Sequence, residues 1–348
     1  MAATFGMALA PHWCRQFTEW WAACPLPGWP GGPGCHIVAA STTRSMAMIT
    51  LSENFRALFY APFYAAHAIG AYEAEKVEVA LRESPDPGRT AADLRAGRVD
   101  VMWGGPLRVL LTHAADPAAD VVCFCDVVAR DPFFVIGREP RPNFRPRDLM
   151  GVRFASVAEV PTPWLCLQDD IRRDGADPAA LTRTHGPTMA ENSVALREGR
   201  LDAVQMFQPY AEELLRSGAG HLWSAAADRG LTAYTTLVTR RSVLMSRREE
   251  LGAMTRAMYR TLRWLAATAG DEVALALASF FPDVPGEVFG AAIDRYRALG
   301  LYGPDPITRR EGVERLQAAM RSGGALDRDI PFEVVVDNSL AEEAVAAG

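Results

Sequence analysis

From Met48 onward, apolar and polar positions along the chain switch between two spacings. Ile49 to Leu51 is a short apolar run, Pro62 to Ala71 has helical composition, and Val77 to Leu81 alternates apolar and polar side chains as a half-buried strand does. Thr90 to Ala96 is helical again, and Val99 to Trp103 reads as a buried strand. Strands separated by helices in this way predict an α/β fold with largely parallel sheets. Towards the C-terminus the pattern becomes mainly helical, from Arg247 to Met320 and most clearly over Glu249 to Ala267, which is expected to complete and cover the first lobe.

One part of the pattern repeats. Leu94-Arg95-Ala96-Gly97-Arg98-Val99-Asp100-Val101-Met102 matches Leu196-Arg197-Glu198-Gly199-Arg200-Leu201-Asp202-Ala203-Val204 at five of nine positions, 102 residues later. In both copies a helix ends at a glycine suited to the left-handed C′ position and a short apolar strand follows. A proline, Pro106 or Pro209, then opens the next helix at its first position. The loops Trp103-Gly104-Gly105 and Gln205-Met206-Phe207-Gln208 therefore sit between a strand's C-terminal end and a helix N-terminus, where open α/β sheets bind ligands. Free N–H groups and the positive helix end suit an anion or a carbonyl there, and Gly104-Gly105 lets a ligand approach the backbone. Two such loops in facing lobes would make a cleft; two unrelated α/β units with ordinary turns are the alternative.

Residues 1–45 break the pattern. They hold four of the eight tryptophans (Trp13, Trp20, Trp21, Trp29), three of the six cysteines, and a Pro/Gly cluster from Leu26 to Gly34 without helical or strand periodicity. We expect an extension outside the folded unit, explained by a start site placed too far upstream, since Met46 and Met48 stand directly before the first strand. No export signal is apparent, because the first arginine, Arg15, follows a broken apolar stretch instead of preceding a run of about 7–15 apolar residues. The longest apolar stretch, Val273 to Phe281, falls short of the roughly 18 residues a membrane-spanning helix needs.

Composition narrows the chemistry. The 348 residues correspond to about two domains at roughly 150 residues each, and 36 basic against 42 acidic side chains, a net charge of −6, argue against a polybasic grip on nucleic acid. Lys76 is the only lysine, so the other 35 basic residues are arginines. Lys76 follows Glu75, not glycine, which removes a Walker-type phosphate loop and leaves any Schiff-base chemistry with this one residue. No His-Glu-x-x-His helix and no Gly-x-Ser-x-Gly elbow occurs. The cysteines, at positions 14, 24, 35, 123, 125 and 166, contain no C-x-x-C ladder, so no metal site is expected. Cys123 and Cys125 flank Phe124 in an apolar run and read as buried free thiols.

The run Leu51-Ser-Glu-Asn-Phe-Arg-Ala-Leu-Phe-Tyr-Ala-Pro-Phe-Tyr-Ala-Ala-His-Ala-Ile-Gly-Ala-Tyr72, followed by Val77-Glu78-Val79, resembles the opening of solute-binding proteins in the nitrate, sulfonate, taurine and thiamine-pyrimidine group of ABC transporters. Asp148-Leu149-Met150-Gly151-Val152-Arg153-Phe154-Ala155 is similar to that group's start of the second lobe, and the likeness extends from about Met48 to about Val243. The resemblance implies an α/β, bilobal, type II periplasmic-binding fold, two lobes with mixed sheets joined by hinge strands, with ligand clamped by hinge closure. Lobe one would comprise residues 46–128 plus 236–348 and lobe two residues 129–235, with hinges near Val121 to Gly137 and Thr232 to Val238.

Mapped onto that fold, the strand-end loops contribute Asn54 and Phe55, Trp103 and Gly104, Thr162 and Trp164, Glu191 and Asn192, Gln205 and Phe207, and Tyr234. Trp103 and Trp164 suit opposite aromatic walls of the cleft, or the core; Glu191 suits a pocket carboxylate, or a helix start. Flat aromatics with amides and one carboxylate favour a small heteroaromatic ligand, an aminopyrimidine of the thiamine-precursor type. Arg56, Arg108, Thr162 and the two helix N-termini instead favour a sulfonate or nitrate. The resemblance implies a monomeric binding component that works with ABC permease and ATPase subunits, without catalysis or cofactor, in the periplasm or at the cell surface. A cytoplasmic sensor is the reading that the missing export signal prompts. A thiamine-pyrimidine synthase-like enzyme would need a lysine for pyridoxal phosphate and a cysteine-rich iron motif, and the early helix around His67 has no lysine while Val122-Cys123-Phe124-Cys125 has only two cysteines.

Overall fold

Short strands alternate with helices from Ile49 to Arg240. The computed structural model describes residues 48–84 and 87–348; the expected extension over residues 1–45, with Cys14, Cys24 and Cys35, lies outside the described residues. The principal elements are β1 (Ile49–Ser52), α1 (Ala61–Ala68), β2 (Val79–Arg82), α2 (Pro87–Arg95), β3 (Val101–Gly104), α3 (Pro106–Ala115), β4 (Val121–Val128), β5 (Phe134–Gly137) and β6 (Phe154–Ala155). They continue with α4 (Thr162–Arg173), β7 (Arg183–Thr184), α5 (Met189–Arg197), β8 (Ala203–Met206), α6 (Tyr210–Arg216), β9 (His221–Ala225) and β10 (Thr235–Arg240). The five longest helices after β10 are α7 (Arg248–Ala267), α8 (Gly270–Leu277), α9 (Gly286–Ala298), α10 (Arg310–Ser322) and α11 (Ser339–Ala346).

The strands form two five-stranded sheets of the same design, ordered β2-β1-β3-β10-β4 and β7-β6-β8-β5-β9. In each, three strands run parallel and a fourth, β10 or β5, inserts antiparallel beside the third. The sheets are thus mixed, as the family resemblance implied, and not largely parallel as periodicity alone suggested. The reason lies in the connections: β4 leads across to β5, and β9 leads back to β10, so each lobe lends the other its antiparallel strand. Residues 129–133 and 226–234 carry those crossings. Strands buried on both faces read as continuous apolar runs, and β4, Val-Val-Cys-Phe-Cys-Asp-Val-Val, is buried at all eight positions.

The internal repeat has a structural counterpart. Gly97 and Gly199 end α2 and α5 with φ of +72° and +71°, a conformation that costs glycine little and other residues about 1–2 kcal/mol. Three residues on, Asp100 accepts the Thr50 N–H at 2.9 Å while its own N–H reaches the Thr50 carbonyl at 3.1 Å. Asp202 does the same with Arg153, at 2.8 and 2.9 Å. One aspartate per lobe therefore stitches the start of the third strand to the first. Pro106 is the first residue of α3 as expected, but Pro209 is the N-cap of α6, whose first residue is Tyr210.

The C-terminal helices do more than cover lobe one. α7 and α8 pack on α1, but α9 and α10 also reach lobe two. Arg295 on α9 pairs with Glu212 on α6 at 2.8 Å, and the neighbouring Tyr296 hydroxyl donates to the Pro132 carbonyl and accepts the Gln208 N–H at 3.0 Å. On α10, Ser322 accepts from Arg172 of α4 at 3.1 Å. Asp126 of β4, whose N–H reaches the Pro306 carbonyl between α9 and α10, is buried with its Oδ1 without a partner among the described residues; burial first, then the nearby Asp305, pushes its carboxyl up to about 8.

Candidate functional site

Two helix starts, one from each lobe, meet at a single pocket. Gly105, Leu107 and Arg108 of the α3 start face Val160, Pro161 and Thr162 of the α4 start, with Asn54, Phe55 and Tyr60 from the loop after β1 and Tyr234 from the returning hinge. Neither helix is closed by its own N-cap side chain, Gly105 in one case and Pro161 in the other. First-turn N–H groups without intrahelical acceptors carry a partial positive charge of about half a unit per helix. Arg108, half-buried on the first turn of α3, adds a full positive charge beside Tyr60.

The polar groups of the pocket are already arranged. Asn54 is 5% exposed and donates through Nδ2 to the Tyr60 hydroxyl at 3.1 Å, which leaves its Oδ1 buried and without a partner among the described residues. Burial raises the Tyr60 phenol far above its usual range, so it stays protonated at neutral pH. Beneath lies an aromatic cluster shared by both lobes: Phe59 meets Phe207 at 5.3 Å and Tyr234 at 5.8 Å, and Phe55 reaches Phe207 at 6.3 Å. The pocket volume is about 30 Å³, far below the roughly 300–1,000 Å³ of ordinary ligand sites. A solute larger than one or two waters enters only if the lobes part.

Four of the residues expected at the cleft from sequence line this pocket: Asn54, Phe55, Thr162 and Tyr234. Phe207 lies in the aromatic cluster next to it, and Gly105, not Gly104, supplies the exposed backbone, since Gly104 is still paired with Thr236 in the sheet. Trp103 is fully buried and stacks face to face on Phe63 at 4.6 Å, because every residue of β3 is covered between β1 and β10. Trp164 sits two residues past Thr162, about 200° around the helix, against Phe154 and beneath the Arg183 guanidinium at 4.3 Å. The two tryptophans therefore do not face one another across the pocket. Glu191 closes α5 in a reciprocal capping box with Thr188, whose N–H and hydroxyl hold its carboxyl below the usual range. Asn192 is buried, donating to the Pro187 carbonyl. Gln205 is buried and turns its Nε2 to the Pro163 carbonyl at 2.9 Å, and it is not among the residues that line the pocket.

Sequence reasoning placed both loops of the internal repeat at the cleft, and only the first is there. The second is closed from within: Gln208 accepts the Glu212 N–H at 2.8 Å, and its own N–H goes to Tyr296. Tyr60, Leu107, Val160 and Pro161 were missed. Pro161 carried a readable signal, standing with Thr162 and Pro163 at a helix start in the chain; Tyr60 and Leu107 did not, being apolar-run residues like their buried neighbours.

The three cysteines of the described residues are buried, which pushes the Cys123 thiol up to about 12 and the Cys125 and Cys166 thiols well above their usual range. Lys76 is exposed, at φ +56° in the turn before β2. Among the described residues no cluster of three or more His, Cys, Asp or Glu side chains is placed to hold a metal ion.

Two mixed sheets exchanging antiparallel strands around a hinged pocket are the architecture of the bilobal periplasmic binding proteins. Solved structures agree. The periplasmic aliphatic sulphonate-binding protein SsuA of Escherichia coli superposes with a TM-score of 0.67 at 16% identity, over 83% of this chain and 97% of its own. The periplasmic nitrate-binding protein NrtA of Synechocystis PCC 6803 gives 0.63 at 13%, over 87% and 89%. The desulfurization enzyme DSZB gives 0.62 at 12%, over 86% and 99%. Residues 59–269 match the NMT1/THI5 like family, and the chain belongs to it. A relative, YtlA of Bacillus subtilis (strain 168), is 23% identical over 312 residues, 89% of this chain and 93% of YtlA.

Proposed function

We propose that the protein is the solute-binding component of an ABC importer, taking a small oxyanion of the sulfonate or nitrate type between its lobes and handing it, unreacted, to permease and ATPase subunits. The observation that carries the reading is the meeting of two uncapped helix starts with Arg108 at one pocket. An aminopyrimidine would call for a carboxylate beside its stacking faces; Phe55, Tyr60 and Tyr234 supply aromatic faces, but no carboxylate is among the residues that line the pocket, and Glu191 lies elsewhere. SsuA and NrtA, by their names, bind sulphonate and nitrate on the same fold, and the buried thiols and exposed Lys76 favour binding over catalysis. On this reading the protein acts as a monomer outside the cytoplasm.

The test is a thermal-shift and calorimetric comparison of ethanesulfonate, nitrate and 4-amino-5-hydroxymethyl-2-methylpyrimidine. A bound ligand at 100 times its Kd adds about 2.7 kcal/mol to stability. Stabilisation by an oxyanion that is lost in Arg108→Met supports the proposal. Stabilisation by the pyrimidine alone sinks it.

A further inference from the structure

A second cavity, of about 400 Å³, lies wholly within lobe two and is more than ten times roomier than the interlobe pocket. Its floor is a row of register partners: Gln205 on β8 pairs with Val135 on β5, which pairs with Ser224 on β9, so the three side chains share one face of the sheet. Leu167 of α4 and Phe144 also line it, as do Phe133 and Phe134.

The charges around the rim are spoken for inside the protein. Arg229, one-tenth exposed, bonds Asp131 at 2.8 Å and Asp170 through Nε at 3.0 Å. Asp174 is held by Arg145 and Arg147, and Arg173 by Asp169 at 2.5 Å. What remains is one buried acceptor. Gln205 is 2% exposed, and because its amide nitrogen must donate to the Pro163 carbonyl, the other end of the carboxamide is the oxygen, which has no partner among the described residues. A buried acceptor without a donor is unfavourable until something supplies one.

We infer that this cavity is a binding site for a small neutral aromatic molecule carrying one O–H or N–H donor, its ring between Phe144 and Leu167 and its donor on Gln205 Oε1. The volume matches such a ligand, the walls are apolar and aromatic, and the paired charges offer no net attraction for an ion. The site is separate from the interlobe pocket and does not depend on the oxyanion reading.

The test uses the full chain, with 4-fluorophenol as probe, followed by fluorine NMR at neutral pH. Saturable binding is expected, weakened about tenfold or more in Ser224→Trp, whose side chain rises from the floor to fill the space, and unchanged in Arg108→Met. With the unaltered protein, 4-fluoroanisole, which keeps the ring but has no donor, should bind at least about fivefold more weakly, which tests the Gln205 contact without any substitution. Absence of saturable phenol binding, binding untouched by Ser224→Trp in a folded variant, or equal affinity for the anisole overturns the inference.

Discussion

The two copies of the repeated unit begin alike and end differently. Each has a left-handed glycine, an aspartate that stitches third strand to first, and a helix that follows the strand. Past the strand, the first copy runs Trp103-Gly104-Gly105-Pro106 and the second Gln205-Met206-Phe207-Gln208-Pro209. In the first, a Cβ on Gly105 would come within 3.2 Å of the Tyr234 carbonyl, so glycine is suited there and the α3 start opens to the pocket. In the second, Gln208 fills the α6 start with its own side chain. The same scaffold therefore leaves one helix end open to the pocket and satisfies the other internally. What distinguishes a binding loop from a structural one here is who supplies the acceptor for the first-turn N–H groups.

Substitutions can break that comparison, and the largest effect belongs to the first copy's strand. Trp103→Ala should cost about 3–5 kcal/mol of unfolding free energy, as for other buried large-to-small changes, with little change in ligand affinity per folded molecule. A chemical denaturation series with calorimetry on the same variant would refute the core assignment if affinity fell while stability held.

Titration should separate the lobes next. Asp126 in lobe one has its folded pKa raised to about 8, above the unfolded value of about 3.9, so its contribution is most favourable below the unfolded pKa and is lost as pH rises towards 8. Asp202 in lobe two is lowered to about 2 by its bonds to Arg153, so its contribution is present above about pH 4 and is lost as pH falls through 2. Asp126→Asn should flatten the stability profile between about pH 4 and 8. Asp202→Asn should flatten only the acid limb, by a small amount because the pair is largely exposed.

Arg108→Met should weaken oxyanion binding by about tenfold and make the remainder less sensitive to salt, as read by calorimetry at two ionic strengths. The smallest effect is at the closed helix start, where Gln208→Ala should cost about 1 kcal/mol, in the range of a lost cap, with ligand affinity unchanged. If that variant gained a second anion, seen as a change in stoichiometry, the contrast between filled and open starts would be sharper still.

Much of the architecture was legible because it is local. The succession from β1 to α3 shows in periodicity, which depends on residues a few positions apart; of the aspartate stitch only the two aspartates show in the repeat, since their partners Thr50 and Arg153 lie about 50 residues earlier. The two-residue strands β6 and β7 show no period of their own, and the antiparallel placement of β5 and β10 depends on partners brought from the other lobe. The site followed the same division. Asn54, Phe55 and Thr162 line the interlobe pocket as residues of strand-end loops, but spacing does not tell which face of a strand or helix is turned to the cleft. That is why Trp103 was placed at a wall it stands behind, and Trp164 on the wrong side of α4.

The C-terminal helices give the clamp a third fastening. Besides the two hinge crossings, α9 holds Glu212 and the backbone of Gln208, and α10 holds α4 through Arg172, so separation of the lobes strains contacts well away from the hinge. On the reading proposed above, a solute caught in so small a pocket would leave only at the frequency with which those contacts give way. Residence time, more than equilibrium affinity, is the quantity that Arg295, Tyr296 and Ser322 should govern, and a change at any of them should shorten it while the pocket itself stays the same.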